Sequence, residues 1–241
     1  MKKENAKIVS IKEDGFILWF SYNVFNILRQ VSLFQQIRNI RKYIFDCNFW
    51  SKNPNATQEL YNSTWKTNTP FCYTHHFSEL WLIGNIILGI TGYYLLLFCK
   101  NRFLCWIFVI YAIFRILEIF IYQVNALLFD PIKSKVNNEE YKIKSATRMV
   151  IMLLLNILEY IIWFSAIYVF AYNTSELCTD CSNVVFDSIM TLANIAEPKH
   201  VDDPIIIIIA YIESIIGIFM NIICLARFIS LLPPVKTINN N

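Results

Sequence analysis

Four ionisable residues lie inside long apolar runs of this sequence: Arg115, Glu118, Glu159 and Glu213. Ionisable groups in such positions are costly, and they normally face the interior of a helix bundle. Arg115 and Glu118 are three residues apart, so on a helix they share a face and can form an ion pair. Glu159 and Glu213 could join this pair. The network would act either as a proton or ion relay or as salt bridges that lock neighbouring membrane helices together, and we favour the structural role.

A short segment near the C-terminal end combines hydroxyl, amide and carboxylate groups. It runs from Ser188 to Glu197, reads Ser-Ile-Met-Thr-Leu-Ala-Asn-Ile-Ala-Glu, and lies between two long apolar runs. The apolar positions from Val184 to Ile195 follow helical spacing, and Asn183 can cap this helix. A helix of about three turns is too short to cross a bilayer. It is therefore either a helix that dips into the membrane and returns, or an amphipathic helix outside the membrane.

The composition indicates an integral membrane protein. Of the 241 residues, 56% are hydrophobic and 16% are charged, whereas soluble domains are about a quarter charged. The apolar residues form blocks that match the roughly 20 residues needed to span a bilayer. We predict an all-α helical bundle with four transmembrane helices at 78–98, 103–129, 149–171 and 204–225.

The predicted spans divide the chain into five parts. Residues 1–77 form a cytosolic N-terminal region, 78–130 a transmembrane hairpin, 131–148 a cytosolic loop, and 233–241 a short tail. The remaining part, 149–232, holds the last two spans with the short helix between them. Within the N-terminal region, the interrupted apolar stretch from Gly15 to Phe34 predicts an amphipathic helix on the membrane or on the bundle, with an ordinary packed cytosolic helix as the alternative.

The distribution of basic residues predicts the orientation in the membrane. Lys and Arg cluster before residue 43 and again between the second and third spans, and Arg227 and Lys236 follow the fourth span. The positive-inside rule places these regions in the cytoplasm. We therefore expect a multi-pass protein of the cell membrane with both termini cytoplasmic. The net charge of +3 is too small to suggest a nucleic-acid partner.

Two cysteines lie on the outer side in this topology. Cys178 and Cys181 belong to the sequence Cys-Thr-Asp-Cys. Their spacing would allow a local disulfide, and free thiols are the next alternative. A zinc site is disfavoured because structural zinc normally has four protein ligands. We therefore predict no metal site.

The order of parts in 149–232 resembles the pore module of tetrameric potassium channels of the simple bacterial ion-channel type, in which an outer helix is followed by a pore helix, a filter and an inner helix. That family has a Ser-x-x-Thr-x-Thr-Thr pattern at the end of its pore helix, and its inner helix often carries Glu-x-x-x-Gly and ends in Ala-Arg. The matching residues, in chain order, are Ser188, Thr191, Ala193, Asn194, Glu213, Gly217, Ala226 and Arg227.

The resemblance implies a homotetramer with a re-entrant pore helix between the third and fourth spans. It implies a central pathway for monovalent cations, toward which the carbonyls at the C-terminal end of the pore helix would point. Gly217 would be the hinge of the inner helix, or otherwise a site of close helix packing.

The filter residues depart from the family pattern. Where the family has Thr-Val-Gly-Tyr-Gly, this chain has no glycine between Thr174 and Ile216. Glycines supply the backbone angles that a ladder of inward carbonyls needs. Pro198, which stands where the second glycine would be, cannot adopt them. We expect a ring of four Glu197 carboxylates with Asn194 below it instead, unless Glu197 only caps an exposed turn. The candidate pore residues are Thr191, Asn194, Ile195, Ala196 and Glu197.

The sequence thus predicts a homotetrameric pore-loop cation channel with an altered, non-glycine filter. The alternative is a non-conducting membrane protein of channel fold that acts as an anchor or signalling partner. An enzyme is disfavoured because the sequence lacks a histidine cluster, a nucleophile elbow and paired carboxylates at one depth. The expected partners are the lipid bilayer, other copies of the chain and monovalent cations, with no cofactor.

Overall fold

The computed structural model describes residues 16–54, 56–68, 73, 75–98, 101–126, 146–174, 183–198 and 203–231. These residues are mostly helical and include no strand, which confirms the all-α prediction. We number the helices in chain order. They are α1 Phe16–Val31, α2 Leu33–Lys52, α3 Gln58–Thr67, α4 His75–Phe98, α5 Arg102–Val124, α6 Ala146–Thr174, α7 Val184–Leu192 and α8 Pro204–Leu231.

Four of these helices are long and apolar enough to cross a membrane, which confirms the predicted number of spans. The candidate spans are His76–Phe98, Arg102–Val124, Arg148–Thr174 and Pro204–Ala226. Their bounds differ from the predicted ones by a few residues. The end predicted for the second span, 127–129, lies outside the described part of the chain.

Helix α6 is the central helix of the bundle. It contacts α4, α5, α7 and α8, and its side chains Tyr160, Trp163 and Tyr168 are fully buried. The other three spans bury one face and leave much of the rest uncovered, as at Ile83 on α4 and Ile215 on α8. Exposed apolar side chains along helices of this length are typical of helices that face lipid.

The N-terminal part contains a break that the sequence reading did not locate. The helix predicted over 15–34 ends at Val31, because Ser32 leaves helical geometry and caps α2, accepting a hydrogen bond from the Gln35 N–H. Helix α1 packs Tyr22 and Phe25 against the core of the spans. Helix α1 therefore lies against the helix bundle.

Helices α2 and α3 pack on each other through aromatic rings. The ring centroids of Phe45 and Trp65 are 4.8 Å apart, and those of Phe49 and Tyr61 are 5.3 Å apart. The Tyr61 hydroxyl donates a hydrogen bond of 2.6 Å to the Asp46 carboxylate. Edge-to-face ring pairs of this kind contribute about 0.5–1.5 kcal/mol each beyond the area that they bury.

The hydrogen bond to Asp46, with partial burial, raises the pKa of Tyr61 to about 12. Because the protonated phenol is favoured in the folded state, its contribution to stability is complete below the unfolded pKa of about 10 and is lost as the pH rises through the folded value. We predict that Tyr61→Phe lowers the stability by about 1 kcal/mol at pH 7. The difference should shrink above about pH 10. Thermal unfolding of both proteins in detergent, followed by tryptophan fluorescence, measures this, and a difference that stays constant up to pH 12 would contradict it.

Candidate functional site

The short helix α7 forms within the stretch that the sequence predicts, but it ends at Leu192 rather than at Ile195, and its start also differs. Asn183 occupies the N-cap position without a side-chain capping hydrogen bond. Its backbone angles, φ −94° and ψ −14°, are those of a right-handed helix. A capping residue normally has extended angles that turn its side chain back to the first free N–H groups. The predicted cap by the Asn183 side chain is therefore wrong.

A buried carboxylate on α8 holds α7 to the bundle. The Ser188 hydroxyl donates a hydrogen bond of 2.6 Å to one oxygen of Glu213, and the Tyr168 hydroxyl donates one of 2.8 Å to the other. All three side chains are fully buried. A buried carboxylate is costly unless donors satisfy it. Glu213 therefore ties α8 to both α7 and α6.

Backbone contact joins the end of α7 to α8 at Gly217. A Cβ atom added at Gly217 would lie 2.0 Å from the carbonyl oxygen of Leu192, closer than any side-chain atom can approach. The side-chain amide of Asn194 donates a hydrogen bond of 3.2 Å to the carbonyl oxygen of Ser214. Only glycine fits at this position with α7 in place. The contact corresponds to close packing, one of the two roles expected for Gly217.

The last carbonyls of α7 accept hydrogen bonds from N–H groups of the turn that follows the helix. Asn194 has a positive φ of 58°, the Ile195 N–H donates to the carbonyl of Met190 at 2.9 Å, and the Asn194 N–H donates to that of Thr191 at 3.0 Å. This pair of bonds is a Schellman motif, which commonly ends helices with glycine or asparagine at the left-handed position. The carbonyls of the last turn, which we expected to point toward a pore axis, therefore already accept hydrogen bonds within the chain.

The predicted pore residues divide into buried and exposed ones. Thr191 is buried, and its hydroxyl donates to the carbonyl of Asp187 at 2.8 Å. Asn194, Ile195, Ala196 and Glu197 are exposed in the single chain. Ile195 has 73% of its surface exposed. Thr191 is therefore part of the packing between helices, while the other four residues form the exposed turn after α7.

A second polar cluster surrounds Arg115. Its guanidinium binds both oxygens of Glu159, at 2.5 and 3.0 Å, and one oxygen of Glu118 at 2.5 Å. All three side chains are buried. The two-point geometry with Glu159 is the strongest arrangement for arginine and carboxylate. Glu213 lies outside this cluster, with the separate partners described above.

The first turn of α2 completes the cluster. The other oxygen of Glu118 accepts a hydrogen bond from the Ser32 hydroxyl and one of 2.8 Å from the Phe34 N–H. Two carboxylates face one guanidinium, so one negative charge remains. The N-terminus of a helix favours negative charge through its free N–H groups and its dipole. Helix α2 therefore both stabilises Glu118 and is anchored by it.

Some predicted residues lie outside the described part of the chain, including Cys178 and Cys181. Among the described residues, the sequence reading did not single out Tyr168 and Ser32 as partners. Each is separated from its carboxylate by a long stretch of chain, 45 residues for Tyr168 and 86 for Ser32. The one available signal was a hydroxyl inside an apolar run.

Four apolar helices of spanning length define the class: a multi-pass α-helical membrane protein. Comparison with protein-family models, with curated proteins and with solved structures gave no significant match. These comparisons therefore neither support nor oppose the resemblance to potassium channels.

The contact at Gly217 predicts a sharp difference between two glycines. Gly217→Ala should displace the end of α7 and lower stability by about 1–3 kcal/mol, as overpacking does. Gly84→Ala is the matched control, because nothing lies within 4 Å of a Cβ added there. Its stability should stay unchanged or rise by up to about 1 kcal/mol. Melting temperatures in the same detergent measure both, and equal effects would show that α7 does not approach Gly217.

The buried cluster predicts a similar contrast between two arginines. Arg115→Gln leaves two buried carboxylates without their cation and should cost about 3–5 kcal/mol. Arg148 pairs with Glu79 at 2.8 Å, but both side chains are more than a third exposed. Arg148→Gln should therefore cost no more than about 1 kcal/mol. Unfolding free energies in one detergent compare them. A loss at Arg115 no larger than that at Arg148 would argue against a buried ion cluster.

Proposed function

We propose that residues 183–198 form a re-entrant loop and that the protein is a subunit of a homotetrameric pore-loop cation channel in the cell membrane, with both termini in the cytoplasm. The observation that carries this proposal is the contact between the Leu192 carbonyl and Gly217. Gly217 lies inside a candidate span that begins at Pro204. At about 1.5 Å per residue, this position is about 20 Å along α8 from Pro204.

A second contact supports a similar depth of α7 in the membrane. Ser188 Oγ lies 3.4 Å from the carbonyl oxygen of Ile161. Ile161 is in α6, about 20 Å from the end of that helix at Thr174. The hydrocarbon core of a bilayer is about 30 Å thick. If the ends of α6 and α8 mark the membrane surface, α7 reaches the middle of the bilayer and the chain then returns to the surface it left.

The turn after α7 supports an assembly of several copies. Residues 195–198 are not helical, and Ile195 to Glu197 are exposed in the single chain. Irregular backbone at membrane depth is stable only when protein covers it or water lines it. Other copies of the chain around a water-filled axis meet both conditions. Four Glu197 carboxylates at that axis would attract cations and select them by charge more than by size.

One observation favours a second candidate, the non-conducting membrane protein of channel fold. The carbonyls of Met190 and Thr191 close a Schellman motif, and the Leu192 carbonyl accepts from the Asn194 side-chain amide at 3.3 Å. Carbonyls in such bonds are less available to replace the water around a dehydrated cation. An anchor or signalling partner needs only the docked loop and no conducting axis.

Ion flux into liposomes that contain the purified protein tests the proposal. We would compare potassium, sodium and chloride for the wild type and for Glu197→Gln. Asp187→Asn is the matched control, because it removes the same charge from the first turn of α7. We predict cation flux with weak discrimination between potassium and sodium, reduced severalfold in Glu197→Gln and unchanged in Asp187→Asn.

The other outcomes separate the candidates. Potassium flux with sodium excluded would contradict a carboxylate ring. Equal effects of the two substitutions would show that Glu197 does not line the ion pathway. A stable tetramer that conducts none of the three ions would favour the non-conducting protein, and a monomer would contradict both the assembly and the pore.

A further inference from the structure

Helix α2 leaves the bundle beside the ends of two candidate spans. Its first turn is held by Glu118, which lies about 9 Å before the end of α5. The Phe34 ring stacks on Phe77 in the first turn of α4, with centroids 5.5 Å apart. The hydroxyl of Tyr73, just before α4, donates to the carbonyl of Arg38 at 3.0 Å. The start of α2 is therefore fixed where two membrane-spanning helices end.

Two long faces of α2 are apolar, and within the described part of the chain one of them packs on α3 while the other is largely exposed. Phe45 and Phe49 pack on α3. On the other side, Leu33, Ile40 and Ile44 recur at helical spacing and are 42%, 57% and 44% exposed. We call these three residues, with the exposed Tyr43 beside them, the apolar stripe of α2. Exposed apolar surface of this extent marks a site that lipid or protein covers.

The charges of α2 favour lipid over protein as the partner that covers the apolar stripe. The helix carries Arg38, Arg41, Lys42 and Lys52 against a single acidic residue, Asp46. Arg41, Lys42 and Lys52 are exposed, while Asp46 accepts the hydrogen bond from Tyr61. Arg41 and Lys52 flank the apolar stripe, whereas Lys42, two residues from both Ile40 and Ile44, lies on the opposite face of the helix. Basic residues that flank an apolar stripe are typical of helices that lie in the interface of an anionic membrane. Each Lys or Arg near such a surface adds to the attraction between the helix and the anionic lipid.

We infer that α2 lies on the membrane surface, with its apolar stripe in the lipid and the flanking Arg41 and Lys52 bound to anionic phospholipid headgroups. The anchor at Glu118 places the stripe beside the spans, and the excess of positive charge complements the anionic lipid. This binding site lies on a different part of the chain from α7, and it is independent of whether the protein conducts ions.

The native Cys47 provides a probe on this surface. It is free and exposed, and it follows Ile44 by three residues, on the side of the stripe. With the other cysteines replaced, a fluorophore on Cys47 would be measured in the full-length protein in liposomes of phosphatidylcholine alone and of phosphatidylcholine with phosphatidylserine. Quenching by acrylamide reports exposure to water, and quenching by nitroxide-labelled lipid reports contact with the bilayer.

We expect acrylamide quenching at Cys47 to fall severalfold in the anionic liposomes while quenching by the labelled lipid rises. The double variant Arg41→Gln and Lys52→Gln should largely abolish this difference. The control is Ser63→Cys with Cys47→Ser, because Ser63 is an exposed residue of α3 outside the stripe. Its label should stay open to acrylamide in both lipids.

Three results would overturn the inference. A Cys47 label that stays open to acrylamide in both lipids would place α2 away from the membrane. A Cys47 label that is equally buried in both lipids and is unaffected by the double variant would show that α2 does not bind anionic headgroups. Excimer emission from a pyrene label on Cys47 would show that a second copy of the chain covers the stripe.

Discussion

The buried carboxylate of Glu213 is the interaction on which the arrangement of the C-terminal half depends. It lies inside a candidate span, where a charged or polar group without partners is costly, and its two donors come from two other helices: Ser188 on α7 and Tyr168 on α6. One turn further along α8, Gly217 allows the end of α7 to touch the helix backbone. The exposure of the turn at 195–197 follows from this docking, because the anchored side of α7 faces the bundle.

Helix α6 connects this arrangement to the rest of the molecule. Its Glu159 binds Arg115 on α5, and the same arginine binds Glu118, which in turn holds the first turn of α2. The polar groups of α6 therefore contact the N-terminal helices through one cluster and α7 through the other. Removing a partner from either cluster leaves a buried polar or charged group unsatisfied, which generally costs more than the intact interaction contributes. Both clusters thus fix which helices are neighbours.

Features that depend on local spacing were predictable from the sequence. Long apolar runs gave the four spans, helical spacing gave α7, and the three-residue separation gave the pair of Arg115 and Glu118. Features that depend on distant partners were not. No local pattern indicates that Ser188 binds Glu213 or that Ser32 ends α1. The left-handed turn at Asn194 carried a usable signal even without a glycine, since asparagine tolerates positive φ better than most residues do.

A double-mutant cycle between Ser188 and Glu213 tests the central claim most directly. Unfolding free energies would be measured in one detergent for the wild type, Ser188→Ala, Glu213→Leu and the double variant, because leucine cannot accept the hydrogen bond from Ser188. If the two side chains hold α7 to α8, the effects are not additive, and we predict a coupling energy of about 0.5–3 kcal/mol. Additive effects, with a coupling near zero, would show that α7 is not docked on α8 through this carboxylate and would contradict the account.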